Sequence, residues 1–125
     1  MIKVFISLAA IFGGSSVAAG AFASHALKEQ LSERALEIFE VGARYQMYHA
    51  LALLLVAILL GQSQTSSTSL IASGWLFIIG ILIFSGSLYA LSLSDIKILG
   101  AITPLGGVAF IAGWGALLIA AFSYQ

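Results

Sequence analysis

G-A-R-Y-Q-M-Y-H-A, Gly42 to Ala50, runs directly into L-A-L-L-L-V-A-I-L-L, Leu51 to Leu60. The second half is wholly apolar. The first half carries Arg44, Tyr45, Gln46, Tyr48 and His49. An apolar run with aromatic and basic groups at one end reads as a membrane span and its interfacial belt. Polar groups at that depth are costly unless they are paired or useful. The block is therefore also the first place to look for function.

Three further apolar segments lie on either side of it. They run from about residue 2 to 23, 70 to 93 and 98 to 122, with the quoted span taken as about 45 to 60. A helix needs about 20 residues to cross the hydrocarbon core. The runs are continuous rather than alternating, which argues against strands. Composition agrees: 61% of the 125 residues are hydrophobic and 8% are charged, too few charges to coat a water-exposed surface. The chain is expected to be all-α, a single integral membrane four-helix bundle.

The region between the first two spans differs from the other connections. Residues 24–44 hold seven of the ten charged side chains: Lys28, Glu29, Glu33, Arg34, Glu37, Glu40 and Arg44. Leu27, Leu31, Ala35, Ile38 and Phe39 recur there at spacings of three and four, the pattern of an amphipathic helix. One or two short interfacial helices are expected, with Ser24 and Ser32 as N-caps and Glu33 in a first turn. The last of them is placed to run straight into the second span.

Orientation follows from the basic residues. Lys28, Arg34, Arg44 and Lys97 fall on one side and Lys3 alone on the other. The charged loop is then cytoplasmic and both termini lie outside. Met1-Ile2-Lys3, the apolar run and Ala21-Phe22-Ala23 resemble a signal peptide. The long apolar stretch and the single lysine favour a retained span.

Small residues at four-residue intervals allow close helix packing, within the bundle or between copies. They are Ala9 and Gly13, then Ala10, Gly14 and Ala18 in the first span, with Ala109 and Gly113, then Ala112, Ala116 and Ala120 in the fourth. Ser85 and Ser87 are placed to bond back to carbonyls of their own helix. Pro104, followed by Gly106 and Gly107, reads as a helix break or kink. Such a break exposes backbone groups that bind ions or substrates in transporters.

The candidate polar site takes in Glu40, Arg44, Tyr45, Tyr48, His49 and His25. Glu40 and Arg44 stand four apart in the favourable order for an ion pair. Tyr45 and His49 form a second pair about a quarter-turn away. Tyrosines at headgroup level with a snorkelling arginine also make an interfacial anchor. Two histidines on one membrane side are an option for haem or a shared metal, but catalytic zinc wants three protein ligands. The four apolar segments contain no Asp or Glu, and no nucleophile elbow, phosphate loop or H-E-x-x-H motif is present. There is no cysteine, which removes disulfides and thiolate metal sites. No basic stripe supports nucleic-acid binding.

These features favour a non-enzymatic membrane protein without a cofactor, acting through lipid, a membrane-protein partner or its own oligomer. The alternatives are a small oligomeric transporter or channel and a haem- or metal-binding membrane subunit.

Four blocks carry a resemblance. They are G-A-F-A-S-H-A-L-K (Gly20 to Lys28), F-E-V-G-A-R-Y-Q-M-Y-H-A-L-A-L (Phe39 to Leu53), F-S-G-S-L-Y (Phe84 to Tyr89) and L-G-A-I-T-P-L-G-G-V-A-F-I-A-G-W (Leu99 to Trp114). In this order they resemble the domain-of-unknown-function 423 (DUF423) family of YgdD-like bacterial inner-membrane proteins, which is itself similar to animal transmembrane protein 256. Ala23 departs from the first block, where glycine is common in the family. The resemblance implies a multi-pass protein of the bacterial plasma membrane. It implies no reaction, ligand or cofactor.

Overall fold

The computed structural model describes residues 1–125 and contains helices and turns only. Helix α1 spans Ile2–Phe22 and continues into a π-turn, Ala23–Leu27. A short loop leads to α2, Glu33–Gln62, the longest helix at 30 residues. Helix α3 (Thr68–Gly80), a second π-turn (Ile81–Ser85) and α4 (Gly86–Ser94) form one continuous rod. Helix α5 is Leu99–Ser123. Four rods are therefore long and apolar enough to span a membrane: Ile2–Leu27, Glu33–Gln62, Thr68–Ser94 and Leu99–Ser123.

The stretch expected to hold one or two interfacial helices, residues 24–44, is divided between two spans, and its last helix runs straight into the second span as expected. Its beginning is the π-turned end of α1, and residues 33–44 are the first three turns of α2. The 3–4 apolar spacing was the helical signal. No proline or glycine separates Glu33 from Val41, so nothing stops that helix before the span. Ser32 caps it, accepting a hydrogen bond from the Ala35 N–H at 3.1 Å. Ser24 is not a cap. Its hydroxyl donates back to the Gly20 carbonyl at 3.0 Å. Ser67 caps α3 by accepting from the Leu70 N–H at 3.3 Å. The third rod ends at Asp95, whose φ of 55° closes the helix in the left-handed region that Asp tolerates.

Helix α2 is the centre of the bundle. It packs on α1 along one face, on the α3–α4 rod along another, and reaches α5 through His49. Its span has the lowest mean hydropathy of the four, 1.5, and the largest buried share, 44%. The span of α5 has a hydropathy of 2.0 and only 22% buried. The least apolar span thus lies at the centre of the bundle, and apolar side chains of the other rods are left facing outward, as lipid as the solvent requires. Ile111, Phe122, Val108 and Leu105 of α5 are among the residues exposed there.

Glycines set the distance between α5 and the third rod. A Cβ on Gly113 would lie 2.7 Å from the Phe77 ring. On Gly80 it would overlap the Phe110 ring, and on Gly106 the Phe84 backbone. Ser73 adds a hydrogen bond to the Gly113 carbonyl at 2.8 Å. The small residues Gly106, Ala109, Gly113 and Ala120 of α5 all face inward, while Ala10, Gly14 and Ala18 of α1 face outward. Of the four small-residue runs, Ala109 with Gly113 closes the bundle and Ala10 with Gly14 and Ala18 is left on its surface, while Ala9 with Gly13 and Ala112 with Ala116 and Ala120 are each only partly buried.

The chain turns place both termini and the 63–67 turn at one end. The Gln64 N–H donates to the Gln125 carbonyl at 3.1 Å, and the Tyr124 hydroxyl donates to the Leu59 carbonyl at 3.3 Å. Lys28, Arg34, Arg44 and Lys97 lie towards the other end, by the alternation of the four rods.

Candidate functional site

The face of α2 from Glu40 to His49 meets all three other rods, and each side chain on it has a different fate. Glu40 and Arg44 do not form the expected ion pair. The one salt bridge in the chain joins Arg34 to Glu37 at 3.6 Å, three residues apart on the exposed rim. Glu40 is half-buried and Arg44 exposed, and the two line the same clefts without meeting. An i, i+4 spacing permits contact, but in water-facing positions the gain is small against side-chain entropy. Tyr45 and Tyr48 remain exposed, with ring centroids 5.6 Å apart.

His49 is buried and fully engaged. Its Nδ1 donates to the Tyr45 carbonyl at 2.8 Å, an oxygen that only accepts. Its Nε2 accepts from the Trp114 indole N–H at 3.1 Å, a group that only donates. The two partners together fix a neutral imidazole with its proton on Nδ1. The ring lies flat on Phe110, with centroids 3.5 Å apart and planes within 8°. Gly80 makes room for that phenyl ring. Nitrogen-15 NMR of the labelled protein is expected to show one protonated and one bare ring nitrogen for His49. Trp114→Phe removes the donor, so the pair of signals should move towards averaging; unchanged signals would contradict this assignment.

His25 sits exposed on the π-turn after α1, while His49 is sealed between α2, α3 and α5. The structure does not bring the two histidines together. No group of three His, Asp or Glu side chains is arranged to hold a metal ion. Helix α1 meets α2 at Ala43 and Gln46, while His49, about one turn on from Gln46, is engaged by α5.

Gln46 is the buried polar centre, a residue that no motif or spacing singles out. Its amide nitrogen donates to the Phe12 carbonyl at 2.8 Å and to the Ser15 hydroxyl at 2.7 Å. Its amide oxygen accepts from the Tyr89 hydroxyl at 2.6 Å. One side chain thereby ties α1 and α4 to α2. Two carbonyls of the same helix accept further bonds across the bundle. Ser16 donates to Ala43 at 2.6 Å, and Ser85 donates to Gly42 at 2.7 Å. Ser85 therefore crosses to a neighbouring helix instead of bonding back. Ser87 does bond back, donating to Phe84 at 3.0 Å, and also meets Thr103 at 2.6 Å. Gly42 is in the quoted block, and its missing side chain admits Tyr89, whose ring atom would lie 3.0 Å from a Cβ.

Pro104 does not break α5, nor do Gly106 and Gly107. The helix starts five residues earlier, at Leu99, through three i to i+3 turns at Leu99, Gly100 and Ala101. Pro104 then lies in the second turn and removes only the bond to the Gly100 carbonyl. Thr103 is inside the helix and donates to the Leu99 carbonyl at 3.3 Å. Gly106 serves close contact with the third rod, not flexibility. The free half-helix ends that a broken helix would offer are absent here.

The surface holds two clefts around the unpaired charges. One lies between α1 and α2 and is lined by Ser16, Gly20, Ser24, Glu40, Ala43, Arg44 and Met47, with a volume of about 400 Å³. The other, of about 410 Å³, runs past Arg34, Glu37, Ile38 and Val41 to Leu88.

Comparison with known proteins fits this picture. Residues 19–107 match the family described as "Protein of unknown function (DUF423)". A UPF0382 membrane protein of Staphylococcus haemolyticus is 45% identical over 122 residues, 98% of each chain. One from Staphylococcus epidermidis is 47% identical over the same coverage. UPF0382 membrane protein YwdK of Bacillus subtilis is 48% identical over 122 residues, again 98% of each chain. No solved structure matches the chain. With most of its length under the family's pattern and full-length bacterial relatives, the chain belongs to the DUF423 family of membrane proteins.

Proposed function

We propose that the protein is a non-enzymatic, multi-pass protein of the bacterial plasma membrane that acts by lateral association with lipid or with another membrane protein. One observation carries this reading. Every buried side-chain nitrogen and oxygen has a hydrogen-bond partner inside the bundle. Gln46, His49, Ser16, Ser73 and Ser85 are consumed in joining helices, so none is left aimed at a substrate. A catalytic group needs a reacting partner within hydrogen-bond reach. The unpaired charges Glu40 and Arg44 line clefts at the surface instead. In the proposed orientation Lys28, Arg34, Arg44 and Lys97 face the cytoplasm and both termini lie outside.

Two measurements test this. Purification in mild detergent followed by mass spectrometry is expected to yield a defined lipid or membrane protein in stoichiometric amount. A monomer stripped of both, from fresh membranes, would overturn the association. The absence of native cysteine makes orientation simple to read. Ser66→Cys should react with a membrane-impermeant maleimide on intact cells, and Gln30→Cys only after permeabilisation. The reverse pattern would invert the topology.

A further inference from the structure

We infer that the groove between α1 and α2 is a headgroup site for an aminophospholipid, with the phosphodiester on Arg44 and the primary ammonium on Glu40. This rests on the lipid branch of the reading above and gives it an address. The argument begins with depth. Helix α2 has 30 residues, which at about 1.5 Å each makes about 45 Å. The hydrocarbon core takes about 30 Å. Its far end is fixed by the apolar run that closes at Leu60 before Gln62. Counting back about 20 residues from Gln62 brings the headgroup boundary to Ala43. Arg44 and Glu40 therefore stand at phosphate level, and exposed Tyr45 and Tyr48 mark the same belt.

The groove is built for a ligand with both charges. Ser16 and Ser24 already donate to Ala43 and Gly20, so its unassigned polar groups are the Glu40 carboxylate and the Arg44 guanidinium. Neither is in a salt bridge, whereas the nearby Arg34 and Glu37 satisfy each other. A guanidinium matches a phosphate through paired N–H donors. A carboxylate takes hydrogen bonds from a primary ammonium, but none from a quaternary one, which has no N–H. Gly20 keeps the floor low: a Cβ there would meet nothing within 4 Å. The groove is shallow and open, about 400 Å³ in volume, a shape that suits a headgroup staying at the membrane face. Below it, the outward small residues Gly14 and Ala18 leave a shallow track on α1 for an acyl chain.

Native mass spectrometry of the full chain in detergent tests this, with phosphatidylethanolamine, phosphatidylcholine and phosphatidylglycerol as probes. The first is expected to bind at least tenfold more tightly than the other two. Arg44→Ala should weaken it at least tenfold, and Glu40→Gln should bring it to the level of phosphatidylcholine. Gly20→Leu fills the groove without touching a charge and should also lower binding, while Arg34→Ala should leave it unchanged. Equal binding of all three lipids, as a plain interfacial anchor would give, overturns the proposal. So does wild-type binding by Arg44→Ala. If these arms fail while a membrane protein still co-purifies, the broader association stands and only the lipid site falls.

Discussion

Gly106→Ala is expected to destabilise the bundle by about 3 kcal/mol, the upper end of what a single overpacked methyl costs. The added carbon would lie against the Phe84 backbone, 2.7 Å from its Cα. A flexible side chain could swing away, but a backbone inside a packed rod cannot. Helix α5 would have to lift from the π-turn, taking with it the Thr103–Ser87 contact of 2.6 Å. Gly14→Ala and Gly115→Ala are the controls, since a Cβ at either meets nothing within 4 Å. Both should stay within about 0.5 kcal/mol of wild type, the usual range for surface changes. Unfolding by SDS in mixed micelles reads all three. Equal stability of Gly106→Ala and Gly14→Ala would show that the helices do not approach as described.

Gln46→Leu comes second, at about 2 kcal/mol. The leucine fills the volume but removes both donors and the acceptor. The Ser15 hydroxyl keeps a fallback, the Phe12 carbonyl at 3.3 Å. The Tyr89 hydroxyl has none and is left unpaired between α2 and α4. An orphaned polar group costs about 1–3 kcal/mol, more than the bond itself contributes. Tyr89→Phe in the same chain removes the orphan, so the double variant should recover about half of the loss. Single and double variants in the same unfolding assay give the coupling. If the double variant is no more stable than Gln46→Leu, the Tyr89–Gln46 bond of 2.6 Å does not hold the two helices.

The spans were legible because lipid imposes one rule over many residues: long apolar runs that satisfy their own backbone. Leu51 to Leu60 needs no partner to be read. The merger of residues 33–44 with α2 was half-visible in the 3–4 spacing, and its extent depended on nothing stopping the helix. The site was less legible because it depends on helix rotation. Ser85 and Ser87 look alike in sequence, yet one reaches Gly42 of another helix and the other its own turn. Gln46 stood in the first block quoted, hidden among residues with louder chemistry. Glu40 and Arg44 had ideal spacing, but spacing sets opportunity and solvation decides. Pro104 with two nearby glycines suggested a break; the neighbour that explains Gly106 is more than 20 residues away in sequence.

The π-turn at Ile81–Ser85 has a consequence for chain length. It holds one more residue than the same stretch of α-helix would. Loss of a residue elsewhere in this rod, Leu76 for instance, dephases everything beyond it by about 100°, one residue's rotation. Ser85 would then miss Gly42, and Ser87 would miss Thr103. Loss of Leu82, which faces outward in the turn, lets the wide turn relax to an ordinary one while both halves keep their partners. The rod carries one residue of slack, and the loss of a codon within the turn is absorbed there without re-phasing the helix on either side.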